Sequence, residues 1–394
     1  MFHLRAFTRR LATTALVLAV LATPFASSAA DPYTIDVILP LTGSFSFIGN
    51  GILATLRAVE EATNAGGGIA GRPLRLNIAD DQSNPELTVQ LMSGLIAKHV
   101  PVVLGPVATA SCRAVIPLLT DGPVAYCFTP GVHPAAGSYV FSTSYSTNDL
   151  LVDDLHYFAR RGWTRIAVLT ATDASGQDVE AGINAALALP ENKNLAIVDQ
   201  EHFNPSDVSV AAQIAHIKAS NAQVLIEWVN GAPEATILRG ISDAGLDLPI
   251  LTSAGNATYV QMKQYAAFLP KQLYFGGLPQ TQPDQIADKA AKAAVNDFIA
   301  ALSAKQIKPE YLHITAWDPA LIVVSALRKI GPGATTAQIR AYIAGLHGWV
   351  GVNGPYDFPR YPQRGLGHGG TVMTRWDESR GVFAGVSKPG GALP

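Results

Sequence analysis

From Asp31 onward the chain alternates short β-branched apolar runs with longer stretches whose apolar positions recur every three to four residues, and it does so twice in series. Such a pattern folds as βαβ units, because each half-apolar helix must bury its stripe against a sheet and successive parallel strands need a helical crossover. The first series predicts strands at 33–41, 72–79, 101–104, 123–128 and 139–142, with helices at 51–64, 87–100 and 113–119. The second restarts after Asp149, with strands at 165–170, 195–199, 224–228 and 250–253 separated by helices. Residues 273–277 then lead to helices at 289–304, 319–330 and 336–346, whose position after the second series predicts a return to the first. The tail from Gly354 is rich in Gly, Pro and turn residues and carries one recognisable strand, 370–376. The fold class expected is α/β, with two Rossmann-like lobes; the roughly 364 residues after position 30 exceed one ordinary core.

The first thirty residues follow other rules. A basic start with Arg5, Arg9 and Arg10, an apolar run over 11–21 and the string Ala26-Ser27-Ser28-Ala29-Ala30 compose an export signal, expected to be cleaved near Ala30. The apolar run is too short to span a bilayer, and no later run reaches about eighteen residues without a charge. Arg9-Arg10 invites a twin-arginine reading, but Leu11-Ala12-Thr13 fits it poorly and the general secretory route is the better one. Neither cysteine lies just after the apolar run, so a soluble product without a lipid tether is expected.

The chain carries 28 Lys plus Arg against 30 Asp plus Glu, and loss of the signal's three arginines leaves a net charge of about −5. A mildly acidic surface argues against nucleic acid or an anionic membrane as partner. The nine histidines lack a paired ligand spacing and two cysteines cannot build a zinc knuckle, so no metal or cofactor is expected. Cys112 and Cys127 stand fifteen positions apart in an exported chain, where oxidation is permitted. They are read either as a disulfide or as two buried small apolar residues.

Loops after parallel strands converge at the carboxyl edge of a sheet, where open α/β proteins bind ligands. Several here are rich in Gly, Ser, Thr and Asn. The loop LTGSFSFIGN (41–50) precedes a helix, and GPVATAS (105–111) enters another whose unpaired first amides suit a carboxylate. Ordinary capping by Thr109 or Ser111 is the alternative account of the second.

At these residues the chain resembles the leucine/isoleucine/valine-binding protein family, the solute receptors of branched-chain amino acid type ABC transporters. The resemblance spans essentially all of the chain after the signal. It rests on ILPLTGSFSFIGNG, on NAGGGIAGRPLRLNIADDQSNPE with Asp81 and Pro85, and on VVLGPVATAS, SGQDVEAG, GAPEA and AWDPALIVVSAL, in order and at the right intervals. It implies a type I periplasmic binding fold, with two lobes joined by three crossovers and closing by hinge bending on a ligand in the cleft. Lobe 1 would hold 31–147 and 277–352; lobe 2 would hold 148–276 and 353–394. The protein would be a monomer in the periplasm, handing its solute to an ABC permease in the inner membrane.

By the same resemblance, a ligand carboxylate would sit at Ala108, Thr109 and Ala110 and at Gly131, Val132 and His133. Ile48, with Phe47 beside it, would border the ligand's other end. His133 replaces a hydroxyl of the family and could donate to the carboxylate or merely cap a turn. Two departures bear on the solute. Where the family's amino-acid receptors place an acid for the ammonium, this chain has Ala254 and Gly255, and where they place a tyrosine it has Ser175. A buried ammonium without a carboxylate is costly. Glu227, Glu234 and Asp173 could substitute, yet the first lies in a strand and the others open helices. Phe45, Phe47, Tyr145 and Trp228 lie in segments expected at the cleft, with Asn230 and Asn256 as polar contacts, so a small aromatic or alicyclic acid is the expected solute. Two further readings stay open: an amino-acid receptor with a displaced ammonium site, and a sensor presenting closed lobes to a membrane regulator.

An enzyme is not expected. Ser111 and Ser175 lack the two flanking glycines of a nucleophile elbow. The Gly66-Gly67-Gly68 run lacks the Lys-Ser/Thr of a phosphate loop and reads as a turn between helix and strand.

Overall fold

A computed structural model describes residues 31–142, 145–277, 279–281, 283 and 286–394; the segment 1–30, expected to be an export signal, lies outside the described residues. The first series forms β1 (Tyr33–Leu39), α1 (Ser46–Ala65), β2 (Leu74–Asp80), α2 (Pro85–Ala97), β3 (Val102–Leu104), α3 (Thr109–Val115), β4 (Val124–Cys127) and β5 (Val140–Ser142). Its strands pair in parallel in the order β2-β1-β3-β4-β5. Pro85 opens α2 at a position whose amide would have no partner, and the Asn84 side chain accepts from the Leu87 amide at 3.0 Å.

The second series forms α4 (Thr147–Arg161), β6 (Arg165–Ala171), α5 (Ala174–Leu187), β7 (Ala196–Phe203), α6 (Ala211–Ala219), β8 (Val224–Trp228), α7 (Glu234–Asp243), β9 (Ile250–Thr252), α8 (Tyr259–Gln264) and β10 (Leu273–Gly276). There follow α9 (Lys289–Ser303), α10 (Tyr311–Ile330), α11 (Thr336–Ala344), β11 (His347–Gly351), β12 (Gly354–Asp357), β13 (Met373–Asp377) and β14 (Val382–Gly385). The second sheet runs β14-β13-β10-β9-β8-β6-β7, parallel from β10 through β7, with β13 and β14 added antiparallel. α9 and α10 return to pack on α1 of the first lobe.

Several boundaries differ from the sequence reading; α3 (Thr109–Val115) starts four residues earlier than expected and β7 (Ala196–Phe203) ends four residues later. α1 begins at Ser46, not at residue 51; Ile48 lies four residues before Ile52 and extends the buried stripe into what the sequence reading takes as loop. α10 starts at Tyr311 and runs through Pro319, which periodicity takes as a helix start. Its length is buried on most sides, and packing compensates for the one backbone bond that proline removes. The tail forms a hairpin and two sheet strands where one strand was expected.

The assignment of 353–394 to lobe 2 also needs correction. Residues 353–365 stay with the first sheet: Ser142 donates its amide to the Gln363 carbonyl at 2.9 Å, and the Phe358 ring stands 5.8 Å from that of Phe141. Arg364 donates to the carbonyls of Pro130 and Val132. The chain joins the second sheet only at β13.

Cys112 and Cys127 are not joined. Both are free thiols at 0% exposure in a cluster with Ile38, Met92, Val103 and Val115. Burial, with Cys127 alongside, pushes the Cys112 thiol well above its ordinary range, so it is an apolar packing group here. No helix among the described residues is long and apolar enough to cross a membrane.

Candidate functional site

A cavity of about 230 Å³ lies between the two sheets, at the carboxyl ends of their strands. The loop after β1 delivers Phe45. Its geometry is held by Ser83, whose hydroxyl accepts from the Phe45 amide at 3.1 Å and donates to the Thr42 carbonyl at 2.7 Å. Asp80 anchors the same loop from β2, accepting from the Leu41 amide and the Thr42 hydroxyl, each at 2.8 Å. Ile48 follows Phe45 by three residues, so the two share one face of α1 and both border the cavity.

The loop after β3 brings Ala108, Thr109 and Ala110. No side chain caps the start of α3, and the Thr109 hydroxyl meets that of Thr129 at 3.1 Å. Thr129 also accepts from the Gly131 amide at 3.2 Å, which curves the loop after β4 around the same point. From the other lobe come Ser175, Trp228, Asn230 and Ala254. Phe45, Phe128, Trp228 and Tyr311 supply the aromatic surface; Trp228 is 5% exposed. Ser253 donates to Asn230 at 2.7 Å and accepts from the Gly255 amide at 3.2 Å, fixing the Ala254 loop.

The lobes meet around this cavity. Ala232 donates its amide to the Ser44 carbonyl at 3.1 Å, and Gly231 is needed there: at φ +82° a Cβ would stand 2.3 Å from the Ser44 oxygen. On the other side Asp178 of α5 receives Arg113 at 3.1 Å and His133 at 2.9 Å on the same oxygen, Oδ1.

Ile48, Thr109, Ala110, Ser175, Trp228, Asn230 and Ala254 are thus brought together, and five other singled-out residues are not. Phe47 faces a second recess, with Tyr259 and Lys308, because two residues along a helix turn a side chain through about 200° from Phe45. Val132 is buried in the core beneath the loop. His133 lies outside the lining, paired to Asp178. Tyr145 is buried, its hydroxyl donating to the Asn353 carbonyl at 2.9 Å, so it belongs to the connection between lobes. Asn256 is fully buried behind the wall, donating to Glu234 at 2.6 Å and to the Val229 carbonyl at 2.8 Å.

The substitute counter-ions are likewise placed elsewhere. Glu227 and Glu234 are both fully buried and do not line the cavity. Strand alternation puts Glu227 on the face of β8 opposite Trp228, against the start of α7. Burial pushes Glu227 up to about 7 and Glu234 well above its ordinary range, Glu234 further raised by the neighbouring carboxylate. A second negative charge beside the first is unfavourable, which adds to the effect of burial. Asp173 borders the cavity, but its Oδ1 is spent on the amides of Ser175 (2.8 Å) and Gly176 (3.0 Å) and on the Ser175 hydroxyl (2.7 Å). Gly176 itself is required, since a Cβ would stand 1.7 Å from the Ala171 carbonyl oxygen.

Sequence reasoning missed Phe128, Thr129 and above all Asp178, which reads as an ordinary polar position in SGQDVEAG. Among the described residues no group of His, Cys, Asp and Glu could hold a metal ion.

Two Rossmann-like lobes with a small, mostly apolar cavity at the facing strand ends define a solute-binding protein of the type I periplasmic class. The chain belongs to the family described as periplasmic binding protein, whose profile it matches over residues 32–380. Members bind small-molecule solutes, work with ABC transporter permeases and are not enzymes. A Leu/Ile/Val-binding protein homolog 3 of Brucella melitensis is 23% identical over 365 residues, covering 90% of this chain and 94% of that one. A periplasmic binding protein type 1 from Bordetella pertussis superposes with a TM-score of 0.78 at 21% identity, over 91% of this chain and 100% of that one. A solute-binding protein from R. palustris in complex with benzoate gives a TM-score of 0.71 at 15% identity, over 92% and 97% of the two chains.

Proposed function

We propose that this protein captures a small aromatic or alicyclic carboxylic acid in the periplasm by lobe closure, for uptake through an inner-membrane ABC permease. The observation that carries the reading is the lining itself: Phe45, Phe128, Trp228 and Tyr311 bring aromatic side chains to it, while Ala254 and Gly255 add no charge where they border it. A flat apolar body gains from those faces, and the uncapped start of α3 with the Thr109 and Thr129 hydroxyls offers donors to a carboxylate. The benzoate found in the R. palustris protein agrees with such a ligand in this fold. Cleavage near Ala30 and a monomeric mature protein complete the proposal.

A thermal-shift screen of the mature protein, refolded to remove carried-over solute, tests it. A ligand that binds only the folded state at about 100 times its Kd adds roughly 2.7 kcal/mol of stability. A clear rise in Tm with an aromatic or alicyclic acid and none with leucine, isoleucine or valine is expected. The opposite pattern would leave an amino-acid receptor, the reading that the Brucella relative's name and the presence of Asp178 in the lining favour.

A further inference from the structure

Asp178 is 4% exposed, and its two oxygens differ. Oδ1 takes both Arg113 and His133, whereas Oδ2 is buried with no hydrogen-bond partner. A buried carboxylate oxygen left unpaired forfeits more than an exposed one, so an unfilled acceptor beside a cavity marks a place where a bound molecule completes the site. Its location is set by Gly131. A Cβ at that glycine would stand 2.6 Å from the Thr109 hydroxyl oxygen and 3.3 Å from Asp178 Oδ2. Both oxygens therefore pack tightly against Gly131, whose missing side chain lets the two lobes come this close, and both residues line the cavity.

We infer that Asp178 Oδ2 reads a hydroxyl on the carbon next to the solute's carboxylate, making the solute class 2-hydroxy acids with an aromatic or alicyclic body. This rests on the organic-acid reading above, in which the carboxylate lies at Thr109. A carboxylate bound there stands next to a second carboxylate, and the pair is tolerable only if a donor lies between them. Arg113 already balances the charge of Asp178, so the open oxygen calls for a single neutral O–H. An ammonium would bring three donors and a further charge to a carboxylate that Arg113 already balances.

Three ligands of one skeleton test this: phenylacetate, mandelate and phenylglycine, which carry a hydrogen, a hydroxyl and an ammonium at the same carbon. The aliphatic set isovalerate, 2-hydroxyisovalerate and valine is run in parallel. Kd values are measured by calorimetry on the wild-type mature protein and on Asp178→Ala, whose former partners Arg113 and His133 are about 40% exposed and rehydrate. In whichever set binds, the hydroxy acid should bind about tenfold or more tighter than the bare acid, and the variant should bring that ratio close to one. A wild-type ratio near one overturns the inference and leaves the organic-acid reading standing, with no variant needed. A variant that weakens hydroxy and bare acids equally also overturns it, and assigns Asp178 to lobe closure alone. Tightest binding by phenylglycine or valine overturns both readings in favour of an amino acid, and no binding by any acid overturns the organic-acid reading and this inference with it.

Discussion

At the scale of single residues, the site depends on which of two near neighbours faces inward. Phe45 and Phe47 are chemically alike and two positions apart, yet one borders the cavity and the other a separate recess. Gly131 and Val132 divide in the same way, the glycine toward the cavity and the valine into the core. Replacing Gly131 by alanine should therefore act on the ligand more than on the fold. The added methyl forces Thr109 to move and crowds Asp178 Oδ2, with an overpacking cost of about 1–3 kcal/mol. Affinity for the best-binding acid should fall at least tenfold; an unchanged Kd would show that Thr109 and Asp178 do not meet the ligand there. The buried free cysteines give a second expectation: Tm in excess reductant should match Tm without it. A loss of several degrees would restore the disulfide that the structure does not contain.

At the scale of elements, the wall formed by the loops after β8 and β9 stands on a buried polar network. Asn256 donates to Glu234, to Thr252 at 3.2 Å and to the Val229 carbonyl, and accepts from the Gly231 amide at 3.1 Å. Asn256→Ala strands several of these groups, at about 1–3 kcal/mol for each one left unsatisfied. Urea unfolding should show a loss of a few kcal/mol, and a loss below about 0.5 kcal/mol would mean that water replaces the side chain. The Glu227–Glu234 pair behind it makes stability depend on pH with a definite sign. The folded state holds a proton at a pH where the unfolded chain has released it, so this contribution is complete below about 4.5 and is lost as pH rises through about 7. Between pH 4.5 and 8 the wild type should lose stability relative to Glu227→Gln/Glu234→Gln by up to a few kcal/mol. Parallel curves for the two proteins would show that the pair does not titrate in that window. Glu227 lies inside a strand and Glu234 opens a helix, so the sequence offers each a bland role; only pairing of β8 beside α7 reveals two acids in contact.

At the scale of the whole molecule, the lobes are held together by several small contacts, among them the Ala232–Ser44 backbone bond, the contacts of Asp178 with Arg113 and His133, and Lys308, which donates to the Gly381 carbonyl at 3.0 Å. Arg113 is 39% exposed, so its pairing is worth about 1 kcal/mol or less after screening. Arg113→Ala should weaken every ligand by one common factor of a few-fold and shift small-angle scattering of the unliganded protein toward a larger radius of gyration. A change in preference between ligands, with no change in scattering, would count against a closing role. Such weak contacts suit a receptor that must reopen, since a ligand moves a two-state equilibrium only by its difference in affinity for the two states.

The alternation of strand and helix, its restart after Asp149 and the Gly/Ser/Thr-rich loops at strand ends are local properties, and local periodicity was enough to determine an α/β chain with its binding loops on one edge. The same locality left undecided every feature that depends on what lies across the cleft. Ser175 and Asp178 share one stretch of α5, but only the approach of Arg113, His133 and Gly131 from the other lobe separates a capped helix start from an acid with an open oxygen. The tail shows the same division. Its turn-rich composition marks no destination, and residues 353–365 remain on the first lobe because Asp318, Gln363 and Arg364 find hydrogen-bond partners there, more than 30 positions away in sequence. Sequence periodicity fixes which face of an element is apolar; which residue meets a ligand is decided by how two lobes, each satisfying its own buried groups, come together.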